Sequence, residues 1–310
     1  MKDVRLSIVT TLYYSAPFIE EFCRRASEAA ARVTPDFEII LVNDGSPDHS
    51  LDVAVSVYER DPRVRVVDLS RNFGHHRAMM TGLAHARGDL VFLLDADLEQ
   101  PPEALPEFAA ELERTKADVV YGMQSKRAGG WRERVSGNLY YRLFNLLSAT
   151  EIPPNIVTMR LMTRRYVSAL LRHREREILI AGLWTITGFK QVPLPVTRTA
   201  KGTTTYTFRK KMSAFVNGIT SFSSRPLVTV FYIGTLISFA SMIAAVVLII
   251  RRLFFGYFLE GWPSLIVSIW LLGGLTIFSI GIIGIYISKV FTESKRRPYT
   301  IVRDVYERTE

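Results

Sequence analysis

Short apolar runs alternate with stretches of helical period through the first 125 positions of the chain. Leu6 to Leu12 reads as a strand, and Pro17 to Val33 carries its apolar residues at helical spacing. Phe37 to Val42, Val64 to Leu69, Leu90 to Leu94 and Val119 to Gly122 read as further strands, with helices at Val53 to Tyr58, His76 to Ala86 and Pro102 to Arg114. Such alternation predicts right-handed βαβ crossovers and a mostly parallel α/β sheet. Ligands of such a sheet bind outside the carboxyl ends of its strands.

The pattern then changes. Pro226 to Ile250 holds no charge across 25 positions, and Gly261 to Ser288 none across 28. Each exceeds the roughly 20 residues that cross a hydrocarbon core, so a hairpin of two transmembrane helices is expected. Arg209, Lys210, Lys211 and Arg225 precede the first span, and Lys289, Lys295, Arg296 and Arg297 follow the second. That balance places both termini in the cytoplasm, against the weaker pull of Arg251 and Arg252 in the outer loop. Before the first span, Phe208, Met212, Phe215, Val216, Ile219 and Phe222 recur on one helix face. A basic amphipathic helix there lies in the membrane interface; packing against the soluble part is the other reading. The expected division is an α/β domain over 1–205, a juxtamembrane helix over 206–225, two spans over 226–290 and a cytoplasmic tail over 291–310. Gly273, Gly274, Gly281 and Gly284 allow close helix approach, within the hairpin or between copies in a homo-oligomer.

Candidate chemistry concentrates where the fourth strand stops. Asp95, Asp97 and Glu99 fall within five positions, and Pro101-Pro102 keeps the strand from continuing. Clustered carboxylates at a strand end suit Mg²⁺ or Mn²⁺, which prefer oxygen ligands and share them with substrate phosphates. A solvated acidic turn is the plainer reading. Asp44, after the second strand, is placed to accept hydrogen bonds from a nucleotide, or only to form an Asx turn. Ser70 to His76, with Arg71, offers cations and backbone donors to phosphates, or only a helix N-terminal turn. Adjacent His75 and His76 do not share a helix face and make a poor metal site. No Gly-x-Gly-x-x-Gly or P-loop pattern occurs, so neither of those nucleotide-binding classes is indicated. The net charge of +9 calls for an anionic partner: a membrane surface, nucleic acid or a phosphorylated substrate. The lone Cys23 rules out an internal disulfide, fits a reducing compartment and reads as a small buried hydrophobe. The apolar core of Met1 to Thr11 is too short for a signal peptide.

Taken together, these stretches resemble membrane-anchored glycosyltransferase family 2 enzymes, in the polyprenyl-phosphate branch related to dolichol-phosphate mannose synthases. The resemblance runs from about residue 5 to residue 300. It is carried by Asn43-Asp44-Gly45-Ser46, Arg71-Asn72-Phe73-Gly74, Asp95-Ala96-Asp97 with Pro101-Pro102, Ile219-Thr220-Ser221-Phe222-Ser223 before Pro226-Leu227, and Lys295-Arg296-Arg297-Pro298. It implies a GT-A fold, a nucleotide-sugar donor, a polyprenyl (undecaprenyl-type) phosphate acceptor, a divalent metal and no nucleic-acid partner. On that pattern Thr10, Leu12, Asp44, Arg71, Asp95 and Ala96 bind the donor, and Asp97 and Glu99 hold the metal. Asp95, Asp97 and Arg160 form the catalytic set. Lys126, Arg127, Arg132, Arg134, Arg160 and Arg198 lie where relatives bind the acceptor phosphate.

The chain also departs from that family. Val157-Thr158-Met159-Arg160-Leu161 stands for Gly-Asp-(aromatic)-Arg-Leu, and Thr10-Thr11-Leu12-Tyr13-Tyr14-Ser15 stands for Pro-x-Tyr-Asn-Glu. Arg198 to Tyr206 carries one residue more than Arg-x-x-Gly-x-Ser-x-Tyr. A hydroxyl acceptor needs a general base, worth about 10²–10⁴-fold, whereas a phosphate arrives already ionised. Thr158 in place of Asp therefore argues for a phosphate acceptor held in line by cations. The expected reaction is inverting transfer of one sugar to a polyprenyl phosphate at the cytoplasmic membrane face. Transfer to a lipid or glycan hydroxyl is the alternative, and a non-catalytic membrane scaffold the reading from another class.

Overall fold

A computed structural model describes residues 5–124, 153, 155–175, 180–197, 223–255 and 261–308. They fall into two compact units. One holds the described residues up to Thr197 together with those from Arg297 onward; the other holds those from Ser223 to Arg296. Lys126, Arg127, Arg132, Arg134, Arg198 and the amphipathic stretch from Phe208 to Phe222 lie outside the described residues.

In the first unit, strand β1 (Leu6–Leu12) leads through helix α1 (Ile19–Ala31) to β2 (Phe37–Asn43), α2 (Ser50–Arg60), β3 (Val64–Leu69), α3 (His75–His85) and β4 (Leu90–Leu93). A 3-10 turn over Pro102–Ala104 opens α4 (Leu105–Thr115). Then follow β5 (Val119–Gln124), β6 (Ile156–Thr163), α5 (Arg164–Leu170), α6 (Ile180–Ile186), β7 (Gln191–Val196) and, from the far end of the chain, β8 (Val302–Tyr306). All eight strands form one sheet in the order β7-β5-β6-β4-β1-β2-β3-β8. Four of its seven pairings are parallel, and β6 and β8 run antiparallel to their neighbours.

Strands β1, β2 and β3 are buried along their whole length, as a parallel sheet with helices on both faces demands. Ile8, Ile39, Phe92 and Leu161 join α1 and α4 in one core. Val9 and Val42 lie under α3 on the opposite face. A Cβ on Gly82 would sit 2.5 Å from Val9 and 2.8 Å from Val42, so α3 lies closer to the sheet than a larger residue permits.

The strands and helices expected before residue 125 and both apolar helices appear, with three differences, while the expected juxtamembrane helix lies almost wholly outside the described residues. Helix α2 starts at Ser50, whose N–H (3.1 Å) and hydroxyl (2.6 Å) donate to Asp48 Oδ1. The single helix expected over Pro102 to Arg114 divides into the 3-10 turn and α4. Most consequentially, part of the stretch expected as a tail is the edge strand β8.

The second unit contains helices α7 (Arg225–Phe255) and α8 (Trp262–Ser294). Large apolar side chains such as Phe231, Leu236, Trp270 and Ile277 are exposed on them. Both are long and apolar enough to cross a membrane. The Tyr286 hydroxyl donates to the Ser223 carbonyl (2.5 Å), tying α8 to the entry of α7.

Candidate active site

The carboxyl ends of β1 and β2 are knitted by polar side chains. Asn43 Oδ1 accepts the Ser46 N–H (3.2 Å). The Ser46 hydroxyl accepts the Tyr14 N–H (2.8 Å) and donates to Asp48 (2.5 Å), whose other oxygen accepts the Ala16 N–H (3.3 Å). Asp44 is 2% exposed, and its two oxygens accept the N–H groups of Phe73 and Gly74 at 2.8 and 3.0 Å. Burial pushes the Asp44 carboxyl above its usual range, against those two backbone donors. Asp44 therefore binds the Arg71-to-Gly74 loop to the β2 turn. Gly45 makes the approach possible: its φ is +59°, and a Cβ would lie 2.3 Å from the Arg71 carbonyl carbon.

The end of β4 presents the carboxylates. Asp95 Oδ2 accepts from Gln100 Nε2 (3.1 Å), and buried Gln100 Oε1 accepts the Met159 N–H of β6 (2.9 Å). From the first turn of α3, His75 places Nε2 3.3 Å from Asp95 Oδ1 and Nδ1 2.9 Å from the Thr11 hydroxyl. The His75 contact has ion-pair distance without hydrogen-bond alignment, so buried Oδ1 lacks a hydrogen bond. Asp97 Oδ1 accepts the Glu99 N–H (3.0 Å). Between them Leu98 holds φ +60°, the left-handed region that a bulky residue seldom adopts. Strain of this kind concentrates at binding turns. Among the described residues, no group of three or more His, Cys, Asp or Glu side chains is arranged to hold a metal ion. Mg²⁺ and Mn²⁺ do not need such a group, since one or two carboxylates suffice when substrate phosphates and water complete the shell. Asp97 and Glu99, two positions apart in the turn after β4, carry the oxygen donors that such an ion takes.

Pleat alternation brings Arg160 to the same face as Asp95. Arg160 pairs with Leu93 across β4 and β6, whereas Leu94, Ala96 and Leu161 belong to the core on the other face. Arg160 is 1% exposed. Its guanidinium lies over the Trp184 ring, and Nε donates to the Thr158 carbonyl at 3.4 Å. Among the described residues no carboxylate pairs with it. Burial lowers its pKa to about 9, with Tyr166 and Tyr121 pulling weakly the other way. A cavity of about 240 Å³ adjoins it, walled by Tyr121, Trp184 and Phe189. Trp184 Nε1 is buried without an acceptor. A desolvated cation and an unbonded N–H beside one cavity suit an anionic, oxygen-rich group.

The other site candidates divide. Arg71 stands in the loop that Asp44 holds, its guanidinium 4.7 Å from the Phe73 ring centre. Leu12 and Ala96 have their side chains in the apolar core, and the Leu12 carbonyl accepts the Asp44 N–H (3.0 Å). Thr10 is fully buried, its hydroxyl without a hydrogen bond. Gln100 and Trp184 enter the site without having been singled out for it, and His75, expected only within the stretch Ser70 to His76 and set aside as a metal ligand, stands beside Asp95. Gln100, directly before the strand-stopping prolines, carried a faint signal; Trp184 carried none.

Residues 7–171 match the family described as glycosyl transferase family 2. The chain belongs to glycosyl transferase family 2. It is a glycosyltransferase with a GT-A-like α/β fold. Over 303 residues it is 57% identical to a Mycobacterium tuberculosis (strain CDC 1551 / Oshkosh) protein named as a glycosyltransferase, covering 98% of this chain and 89% of that one. It is 32% identical over 305 residues to the prophage bactoprenol glucosyl transferase homolog of Escherichia coli (strain K12), covering 97% and 99%. A mannosyltransferase from Pyrobaculum calidifontis, solved in complex with GDP-Man and Mn²⁺, aligns with a TM-score of 0.45 at 20% identity, over 63% of this chain and 56% of that one.

Proposed function

We propose that this family 2 enzyme transfers a single sugar from a nucleotide-sugar to a polyprenyl phosphate, with inversion, at the cytoplasmic face of a membrane. The observation that carries the reading is buried Arg160, without a carboxylate partner among the described residues and on the same sheet face as Asp95. Full-length similarity to a protein named for bactoprenol glucosyl transfer supports the lipid phosphate. The apolar helices α7 and α8 support a membrane location for the reaction.

Each residue then has a task. Asp44 holds the Arg71 loop, which meets the donor phosphates, and Asp95 meets the ribose or sugar phosphate. Gln100 fixes the Asp95 carboxylate through Oδ2, and His75 stands 3.3 Å from Oδ1. Asp97 and Glu99 would hold Mg²⁺ or Mn²⁺, which when bound neutralises charge on the departing nucleoside diphosphate. Arg160, with Lys126, Arg127, Arg132, Arg134 and Arg198, holds the acceptor phosphate behind the anomeric carbon. Its planar fork suits two phosphate oxygens at once. The acceptor oxygen forms its bond to the anomeric carbon as the bond to the diphosphate breaks, which inverts that centre. No proton has to be removed from an ionised phosphate, so Thr158 in place of an acid is no handicap.

The test is a panel of α-linked nucleotide-sugars with Mn²⁺ and a short polyprenyl phosphate, the product being read by proton NMR. A β-linked glycosyl phosphate is expected from one donor. An α-linked product would contradict direct displacement.

A further inference from the structure

We propose that the C-terminal strand β8 is a positioning element of the donor end of the site, acting through Arg303 and Asp68. The inference rests on the reading of that end as the nucleotide-sugar site. Strand β8 pairs antiparallel with β3, and the register slips: Asp304 faces Asp68 and Val302 faces Leu69, leaving Arg303 as the extra residue. A bulge re-aims the side chain it inserts. Here Arg303 Nε donates to Asp68 Oδ2 at 2.6 Å.

Asp68 is 0% exposed, near the carboxyl end of β3. A buried carboxylate without a counter-charge is strongly unfavourable, and Arg303 supplies that charge from the tail. The other oxygen of Asp68 accepts from Asn43 Nδ2 at 2.8 Å. That bond sets which way the Asn43 amide faces, so that its Oδ1 accepts the Ser46 N–H. Ser46 in turn holds Tyr14 and Asp48, and the same turn carries Asp44, whose oxygens hold Phe73 and Gly74. A chain of hydrogen bonds thus runs from Arg303 to the turn after β2, and Asp44, the residue next to Asn43 on that turn, carries the connection to the Arg71 loop.

The tail is held at further points. Ser70, directly before Arg71, donates its N–H to the Ile301 carbonyl (2.9 Å), and the Thr300 and Thr81 hydroxyls lie 2.8 Å apart. At the other end of β8, Glu307 accepts from Arg65 and Arg87, each at 2.7 Å. None of these bonds of β8 ends on a residue assigned to substrate or metal. Strand β8 acts by setting the backbone that carries such residues. The consequence is that residues beyond the second apolar helix are needed for donor affinity.

Hydrogen–deuterium exchange on the full-length protein in detergent tests this, comparing wild type, Arg303→Met and Arg303→Lys. In Arg303→Met, peptides spanning 43–50 and 71–75 exchange faster, while peptides of β1 and β4 keep their protection. Lysine, which still brings a charge to Asp68, restores most of the difference. In parallel the nucleotide-sugar KM of Arg303→Met rises about tenfold, as expected for losing one charged hydrogen bond, with the acceptor KM unchanged. Unchanged exchange at 43–50, or protection lost evenly through β1 and β4 as well, would overturn the inference. So would equal effects of Met and Lys. Exchange does not depend on turnover: absence of transfer in all three proteins would count against the functional reading, and the exchange pattern would still decide the role of β8.

Discussion

Arg160→Met replaces a buried cation with an apolar side chain of similar reach and separates two effects of Arg160. Burial holds its pKa at about 9, which at about 1.4 kcal/mol per pK unit costs the fold roughly 5 kcal/mol. Stacking on Trp184 returns about 2 kcal/mol, and the hydrogen bond to the Thr158 carbonyl about 1 kcal/mol. Roughly 2 kcal/mol of uncompensated cost remains, and an apolar replacement relieves it. At about 2–4 °C per kcal/mol for a domain of this size, the variant melts roughly 4–8 °C higher by scanning calorimetry. Transfer to polyprenyl phosphate moves the other way. Losing a charged contact of about 3 kcal/mol slows it by about a hundredfold, with the donor KM unchanged. The pH dependence follows the same sign. Burial disfavours the charged guanidinium, so its penalty lessens as pH rises into the alkaline range; the variant lacks that rise. A lower melting point together with undiminished transfer would refute the reasoning, since Arg160 would then be serving the fold alone.

Three further outcomes are expected. Gly45→Ala forces a Cβ against the Arg71 backbone at a left-handed φ and destabilises by at least about 2 kcal/mol in urea unfolding. It also abolishes nucleoside diphosphate binding by calorimetry, and retained binding would show that the two loops need not touch. Gln100→Ala strands the buried Met159 N–H, costing about 1–3 kcal/mol, and loosens Asp95, so kcat falls along with the melting point; an unaltered kcat would remove Gln100 from the site. Cys23 is buried and its thiol is pushed up to about 12, so iodoacetamide at pH 8 leaves it unmodified until urea unfolds the chain. Modification of the native protein would contradict the packing of α1.

Strands β1 to β5 were legible because each is an apolar run bounded by turn residues. The carboxylates were legible because they follow a strand that two prolines end. Other elements follow physics that the linear pattern hides. Strand β7 contains Pro193 and Pro195, which argue against a strand, yet it lies at the sheet edge where a missing N–H is tolerated. Strand β8 is five residues rich in charge, and its partner β3 lies more than two hundred positions earlier. Of the site, His75 meets Thr11 across 64 positions and Gln100 meets Met159 across 59. Such contacts exist only once the sheet order is known. Arg160 stood out in sequence as a charge in an apolar strand; its stacking on Trp184 did not.

That a lipid phosphate, and not a hydroxyl, attacks the sugar is tested most directly by supplying the purified protein with its nucleotide-sugar, Mn²⁺ and either a polyprenyl phosphate or the matching polyprenol. Nucleoside diphosphate release is then followed with each acceptor. Release with the phosphate alone is the result the account predicts; release with the polyprenol and not the phosphate would contradict it.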